Sequence, residues 1–355
     1  MAYGTMTSTP NPYRNAPDSF EIDDAIPGPS VDLEAPLRLL RACPAHESTP
    51  LIMHKVLARR MGVQALWIKD ERGRMGLGSF KALGAAYVIA HDAMAANADD
   101  PERALEGKTY VTASAGNHGM SVAAGARVFG ARAVVYIANT VPESFADRLR
   151  AKGAEVVREG AIYEDSMKAA AKAANDKGWQ LLSDSSWPGY TGPPHRLMEG
   201  YLVLMSEVFE QIPQPPTHIF LQAGVGGLAG ACAAAARDHW GDGPQIIVVE
   251  PEAAPALEAS IRAGRFVTTE GPESVMGRLD CKEASLIAMK GLAHDADGFA
   301  LVSEAEAQEA ADALKALGLE TTPSGVAGLA AAMSGEAALS ADAKVLVILS
   351  EGPEA

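Results

Sequence analysis

Short apolar runs that break into glycine-bearing turns and then into helical stretches recur along this chain, and they constrain its fold more than any other feature. Thr109–Ala113 opens into Ser114-Ala115-Gly116-Asn117-His118-Gly119 and a helical pattern from about Met120 to Phe129. His218–Gln222 runs directly into Ala223-Gly224-Val225-Gly226-Gly227-Leu228-Ala229-Gly230, again followed by a helix-forming stretch. Ala65–Lys69, Ala133–Ile137, Gly153–Val157, Leu181–Asp184, Ile246–Glu250 and Val345–Leu349 repeat the strand theme. Short buried strands alternating with helices predict an α/β fold with a mainly parallel sheet and right-handed crossovers. In such a sheet, ligands sit at the carboxyl ends of the strands.

A chain of 355 residues is long enough for one large or two medium domains, and 48% hydrophobic with 21% charged residues reads as globular. The net charge of −15 argues against nucleic acid or an anionic membrane as partner, while leaving room for an anionic small substrate in a local pocket. Cys43, Cys232 and Cys281 are isolated, which favours a reducing compartment and shows neither a metal site nor a redox pair. With no signal-peptide pattern and no uncharged apolar span of membrane length, the expectation is a cytoplasmic protein. Residues 1 to about 30 read as an irregular arm, and Asp32 to about Met61 as helix interrupted at Pro44 and Pro50.

Four places carry candidate chemistry. In Gly78-Ser79-Phe80-Lys81-Ala82-Leu83-Gly84-Ala85 a lysine stands where a glycine turn gives way to a helix running to about Ala96. Ser79 is positioned as its N-cap. A partly desolvated Lys81 with a lowered pKa would be a nucleophilic amine able to form a Schiff base; the alternative is a solvated surface lysine. The loop from Ser114 to Gly119 turns first-turn amides toward an anion, or is an ordinary strand–helix connection. The turn from Gly224 to Leu228 leaves backbone amides unobstructed and makes a nest for a phosphate; the same turn would serve a dinucleotide, with Glu250 either its ribose partner or a carboxylate in solvent. Ser350 either begins a turn or presents its hydroxyl to a ligand, and the loop from Ser185 to Pro194, with Trp187, Gly189 and Tyr190, is either a positioned lid or a plain connection.

Taken together, SFK, then SAGNHG, then the GVGG loop, then a terminal strand ending in serine resemble the fold type II pyridoxal-phosphate enzymes, the tryptophan synthase β / threonine dehydratase superfamily. The likeness covers about residue 45 to the end, and within the superfamily it is nearest to the diaminopropionate ammonia-lyases, on Asp184–Tyr190, Met198–Tyr201, Gln222–Gly226 and Met276–Glu283. The resemblance implies pyridoxal 5′-phosphate (PLP) as cofactor and Lys81 as its Schiff-base lysine and as base or acid at Cα. It implies Gly224, Val225, Gly226, Gly227 and Leu228 as the phosphate cradle, Asn117 as a hydrogen-bond partner of the 3′-oxygen, and Ser350 at the pyridine nitrogen. Ser114, Ala115, Gly116, Asn117 and His118 would bind the substrate carboxylate. Asp184, with Tyr190 near it, would meet the β-substituent. No metal is implied.

The expected architecture has two unequal domains: a small mobile one at residues 109–184, inserted between two parts (31–108 and 185–355) of a large cofactor-binding domain. The expected activity is β-elimination from a small L-amino acid bearing an amino or hydroxyl group at Cβ, giving a 2-oxo acid and ammonia, with a homodimer as the assembly. A serine/threonine or 3-hydroxyaspartate dehydratase is the alternative within the fold, followed by a β-replacing synthase. A dinucleotide-binding oxidoreductase and a ligand-binding protein without turnover are the readings outside it. Two positions depart from the resemblance. Ala115 stands where diaminopropionate ammonia-lyases carry an aspartate and serine racemases a serine, so slow use of D-substrates is expected. Thr322 replaces a glutamate found before Pro-Ser-Gly in many relatives.

Overall fold

The computed structural model describes residues 8–334 and 339–353 and distributes the apolar runs between two sheets. The chain begins with β1 (Ser8–Pro10), α1 (Glu34–Arg41), β2 (Leu51–Met53), α2 (Lys55–Met61), β3 (Ala65–Asp70) and α3 (Lys81–Ala95). Then come β4 (Thr109–Ala113), α4 (Asn117–Val128), β5 (Arg132–Ile137), α5 (Glu143–Ala151), β6 (Ala154–Arg158), α6 (Tyr163–Lys177) and β7 (Gln180–Leu181). The remainder is α7 (Gly192–Gln211), β8 (His218–Gln222), α8 (Gly227–Trp240), β9 (Gln245–Pro251), α9 (Ala256–Ala263), α10 (Leu286–Asp295), β10 (Gly298–Val302), α11 (Glu304–Lys315), α12 (Pro323–Met333) and β11 (Lys344–Leu349).

Among the described residues one sheet has the order β1-β10-β9-β8-β11-β3-β2 and the other β6-β5-β4-β7. Every pairing is parallel except those of β1 with β10 and β2 with β3, which are antiparallel and lie at the two edges. Continuous burial explains why the strands read as unbroken apolar runs: all residues of β3 and β4 are buried, as parallel strands covered on both faces require. β11, the last strand in sequence, lies between β3 and β8, so Ser350 follows a strand at the centre of the larger sheet.

The two edge strands were not expected. Leu51–Met53 falls in a stretch read as interrupted helix, and Ser8–Pro10 in the irregular arm; residues 1–7 of that arm lie outside the described residues. Three-residue strands are too short for a periodicity to declare them, and each exists because a sheet edge offers it partners. Helix α4 also starts earlier than the helical pattern from about Met120 suggests. α4 begins at Asn117, and α7 at Gly192, with prolines in its first turn where the missing amide costs nothing.

Lys81 is held by packing on both sides. Helices α3 and α7 cross so closely that a Cβ on Gly200 would lie 2.6 Å from the Leu83 carbonyl oxygen. That approach brings Tyr201 edge-on to Phe80, with ring centroids 4.9 Å apart, beside the lysine. Behind the turn that precedes α3 lies a buried charge cluster. Glu207 of α7 accepts from Lys69 Nζ at 2.6 Å and from Arg74 at 2.7 Å, and Arg74 also pairs with Glu71 at 2.7 Å. Removing one partner from such a cluster strands a buried charge at a cost of about 3–5 kcal/mol, so the cluster fixes the path of the segment leading to Lys81. No helix of the described residues is long and apolar enough to cross a membrane.

Candidate active site

Lys81 is the first residue of α3, and its Nζ forms an ion pair with Asp184 at the end of the β7 segment. Burial alone would lower the lysine pKa, but the Asp184 carboxylate outweighs it and raises it instead. Asp184 is raised by burial and pulled below the usual carboxylate range by Lys81. This overturns the expected lowered pKa for the lysine of this structure: the sequence pattern could not show a carboxylate 103 positions away. Ser79 is not the helix cap either. Phe80 occupies that position with no side-chain hydrogen bond. The turn is held by strand-like pairing to the end of β11 instead, with Phe80 N donating to Ser350 O (3.2 Å) and Gly352 N to Gly78 O (2.9 Å).

Ser114 to His118 form the connection from β4 to α4. Ser114 Oγ accepts from Gly116 N at 3.3 Å, Ala115 is partly exposed, and Asn117 opens the helix with its Nδ2 on the Glu351 carboxylate. His118 is buried, and burial lowers its pKa. Its Nε2 lies 2.8 Å from the Leu182 carbonyl, an acceptor, so Nε2 carries the proton and the neutral ring is anchored just before Asp184. Tyr190 stacks on Trp187 with ring centroids 4.3 Å apart, and the two residues exchange backbone hydrogen bonds across a tight turn. The Tyr190 hydroxyl donates to Leu181 O (2.9 Å) and accepts from Ser183 N (3.1 Å). Its polar atom therefore braces the segment that carries Asp184.

The glycine turn lies at the start of α8, with Gly226 at φ +96° as the residue before the helix. A Cβ there would be strained by the backbone and only 3.0 Å from Ala288 Cβ. The first-turn amides of α8, from Gly227 and Leu228 onward, lack intrahelical partners and carry the positive end of the helix dipole. A Cβ on Gly227 would lie 3.6 Å from the Tyr201 ring and 3.9 Å from the Asp184 carbonyl, so the cradle, the lysine and the carboxylate share one cleft. Cys281, which the sequence reading did not assign a role, lies beside it, with Sγ 3.0 Å from where a Cβ on Gly224 would stand. Ser350 is 5% exposed and Thr322 caps α12 by accepting from Gly325 N at 3.0 Å.

Glu250 fits neither role considered for it. It is fully buried and accepts from Leu257 N and Glu258 N, both at 2.8 Å, at the start of α9. A carboxylate spent on two helix amides is not available to a ribose, so the dinucleotide reading loses its acidic partner.

A glycine turn crowded against a Cβ at Gly224 and Gly226, an amine in a half-open cleft, and the buried Ser79 Oγ, which has no hydrogen-bond partner among the described residues, all suit a phosphorylated aldehyde such as PLP. Residues 43–351 match the pyridoxal-phosphate dependent enzyme family, and the chain belongs to it. Its fold is that of the fold type II PLP enzymes. More particularly, it is 34% identical over 265 residues to the diaminopropionate ammonia-lyase of Salmonella typhimurium, a match covering 69% of this chain and 66% of that enzyme, just under two thirds of its length. The diaminopropionate ammonia-lyase of Escherichia coli, solved in complex with an aminoacrylate-PLP azomethine reaction intermediate, superposes with a TM-score of 0.87 at 28% identity, covering 99% of this chain and 95% of that one. The same enzyme has been solved with D-serine. The human L-serine dehydratase/L-threonine deaminase is 28% identical over 249 residues, 70% of each chain.

Proposed function

We propose that the protein is a PLP-dependent ammonia-lyase that removes a β-substituent from a small L-amino acid, with 2,3-diaminopropionate as the leading substrate. The observation that carries this reading is the Lys81–Asp184 pair standing across the cleft from the Gly226 cradle. When bound, PLP supplies an aldehyde for an amine and an electron sink for the bond electrons released at Cα. The residues of the chain divide the remaining work. Gly224 to Leu228 hold the phosphate, Asn117 the ring 3′-oxygen, and Ser350 the pyridine nitrogen through a neutral hydroxyl. Ser114 to His118 receive the substrate carboxylate. Lys81 Nζ, in its neutral form and outside the ion pair with Asp184, would take the Cα proton.

Asp184 would meet the β-substituent, binding a β-amino group or protonating it as it leaves. A carboxylate kept ionised binds a β-ammonium, which already carries its proton: as the Cα electrons form the Cα–Cβ double bond, the C–N bond breaks toward nitrogen and ammonia departs. A β-hydroxyl must instead be handed a proton by a protonated acid as it leaves. The dehydratase reading draws support from Ala115, since L-threonine dehydratases share that alanine, and it ranks second.

The four-stranded sheet, with β4 to β7 inside residues 109–184, is on this reading the small domain whose closure excludes water. A cytoplasmic setting and a homodimer complete the proposal; three free cysteines and the family resemblance support them. The test is ammonia and 2-oxo acid release from L-2,3-diaminopropionate, L-serine, L-threonine and 3-hydroxyaspartate. Fastest turnover of diaminopropionate is expected; turnover confined to the hydroxylated substrates would replace the proposal with the dehydratase reading.

A further inference from the structure

Glu351 follows Ser350 at the end of β11 and is 4% exposed. One of its carboxylate oxygens, Oε2, meets both Asn117 Nδ2 and Arg278 Nε, the latter at 2.9 Å. The other, Oε1, accepts from Thr322 Oγ1, and its main-chain carbonyl accepts from Thr321 Oγ1 at 2.6 Å. Its backbone also bridges Ser79, two positions before Lys81. Its carboxylate thus joins α4, which packs on the smaller sheet, to the Arg278 and Thr322 segments, and its backbone to Thr321 and Ser79.

The contact with Asn117 has a directional consequence. As the anionic partner of Arg278, Glu351 presents only acceptors, so it pairs with the amide nitrogen of Asn117 and repels the amide oxygen. The two ends of an asparagine amide are otherwise interchangeable in shape, and only the hydrogen-bond network decides between them. With Nδ2 held on Glu351, the direction of its second N–H is set as well.

We propose that Glu351 is a positioning residue: it fixes the Asn117 amide so that an N–H faces the cofactor ring, and it ties cofactor seating to the docking of α4 against the end of β11. This rests on the reading of Asn117 as the partner of the 3′-oxygen. A neutral glutamine at 351 accepts either end of the amide and removes the discrimination.

A double-mutant cycle tests the coupling. Cofactor-free wild type, Asn117→Ala, Glu351→Gln and the double variant are titrated with PLP, following the Schiff-base absorbance near roughly 410 nm and its pH midpoint. Each single variant is expected to bind PLP about tenfold more weakly, the size of one charge-assisted hydrogen bond, and to shift the pH midpoint in the same direction. The double variant is expected to match Asn117→Ala. Losses that multiply to about a hundredfold in the double variant overturn the inference. Should Glu351→Gln fail to fold, Glu351→Asp keeps the charge, and its pH midpoint is expected to move less than that of Asn117→Ala; an equal shift overturns the inference too. A wild type that takes up no PLP overturns the cofactor assignment and this inference together, whereas uptake with independent losses overturns the inference alone.

Discussion

On the proposed reading, position 115 is where proton transfer on the second face of the substrate would need an acid or base, and this chain has only a methyl group there. On that reading Lys81 would serve one face, and a D-substrate would offer its Cα proton to the other. The resemblance places an aspartate here in diaminopropionate ammonia-lyases, and the E. coli enzyme has been solved with D-serine. General base catalysis contributes roughly two to four orders of magnitude in rate, so the wild type is expected to turn over D-2,3-diaminopropionate and D-serine slower than the L-isomers by about that factor. Ala115 is partly exposed, so a longer side chain has room. Ala115→Asp should raise D-isomer turnover while L-isomer turnover persists. Steady-state rates on both enantiomers check this; equal wild-type rates would assign the second base to Asp184.

At the scale of the element, Glu250 shows what a strand-end carboxylate does when it is buried. Burial pushes its carboxyl up to about 8, with the neighbouring Glu258 adding to the rise and two α9 amides opposing it. The folded protein therefore keeps a proton up to about pH 8, whereas an unfolded glutamate releases it near ~4.3. Between these values the native state binds more protons, so this group makes stability fall as pH rises across the window and leaves it flat beyond. Glu250→Gln should lower the midpoint temperature at about pH 5, by loss of an acceptor worth about 1 kcal/mol, and flatten the decline up to about pH 8. Thermal melts of both proteins over that range check the sign; a wild-type midpoint that rises across it would contradict the account.

Glu250 also marks the limit of what was legible in the chain. The strands that lead into the glycine turns were legible because continuous burial writes itself as unbroken apolar runs. Local pattern failed wherever a partner came from far away. Ser79 reads as a helix cap until β11 captures its turn, Lys81 reads as an activated amine until Asp184 arrives, and Leu51–Met53 becomes a strand only because β3 lies beside it. Glu351 left one signal, a charge two positions after a mostly apolar strand, and its meaning depended on Asn117 at the start of α4.

At the scale of the molecule, two sheets meet at one cleft and each supplies half of its charged machinery. The β3 side brings Lys81 and the end of the β7 segment brings Asp184; β11 brings Glu351 and the start of α4 brings Asn117. The central claim is that this cleft holds PLP on Lys81. The most direct measurement is borohydride reduction of the PLP-loaded protein, followed by proteolysis and mass mapping of the pyridoxyl group. Attachment to Lys81 alone is the predicted result. Attachment to any other lysine, or an unlabelled Lys81 in protein that has turned yellow with PLP, would contradict the account.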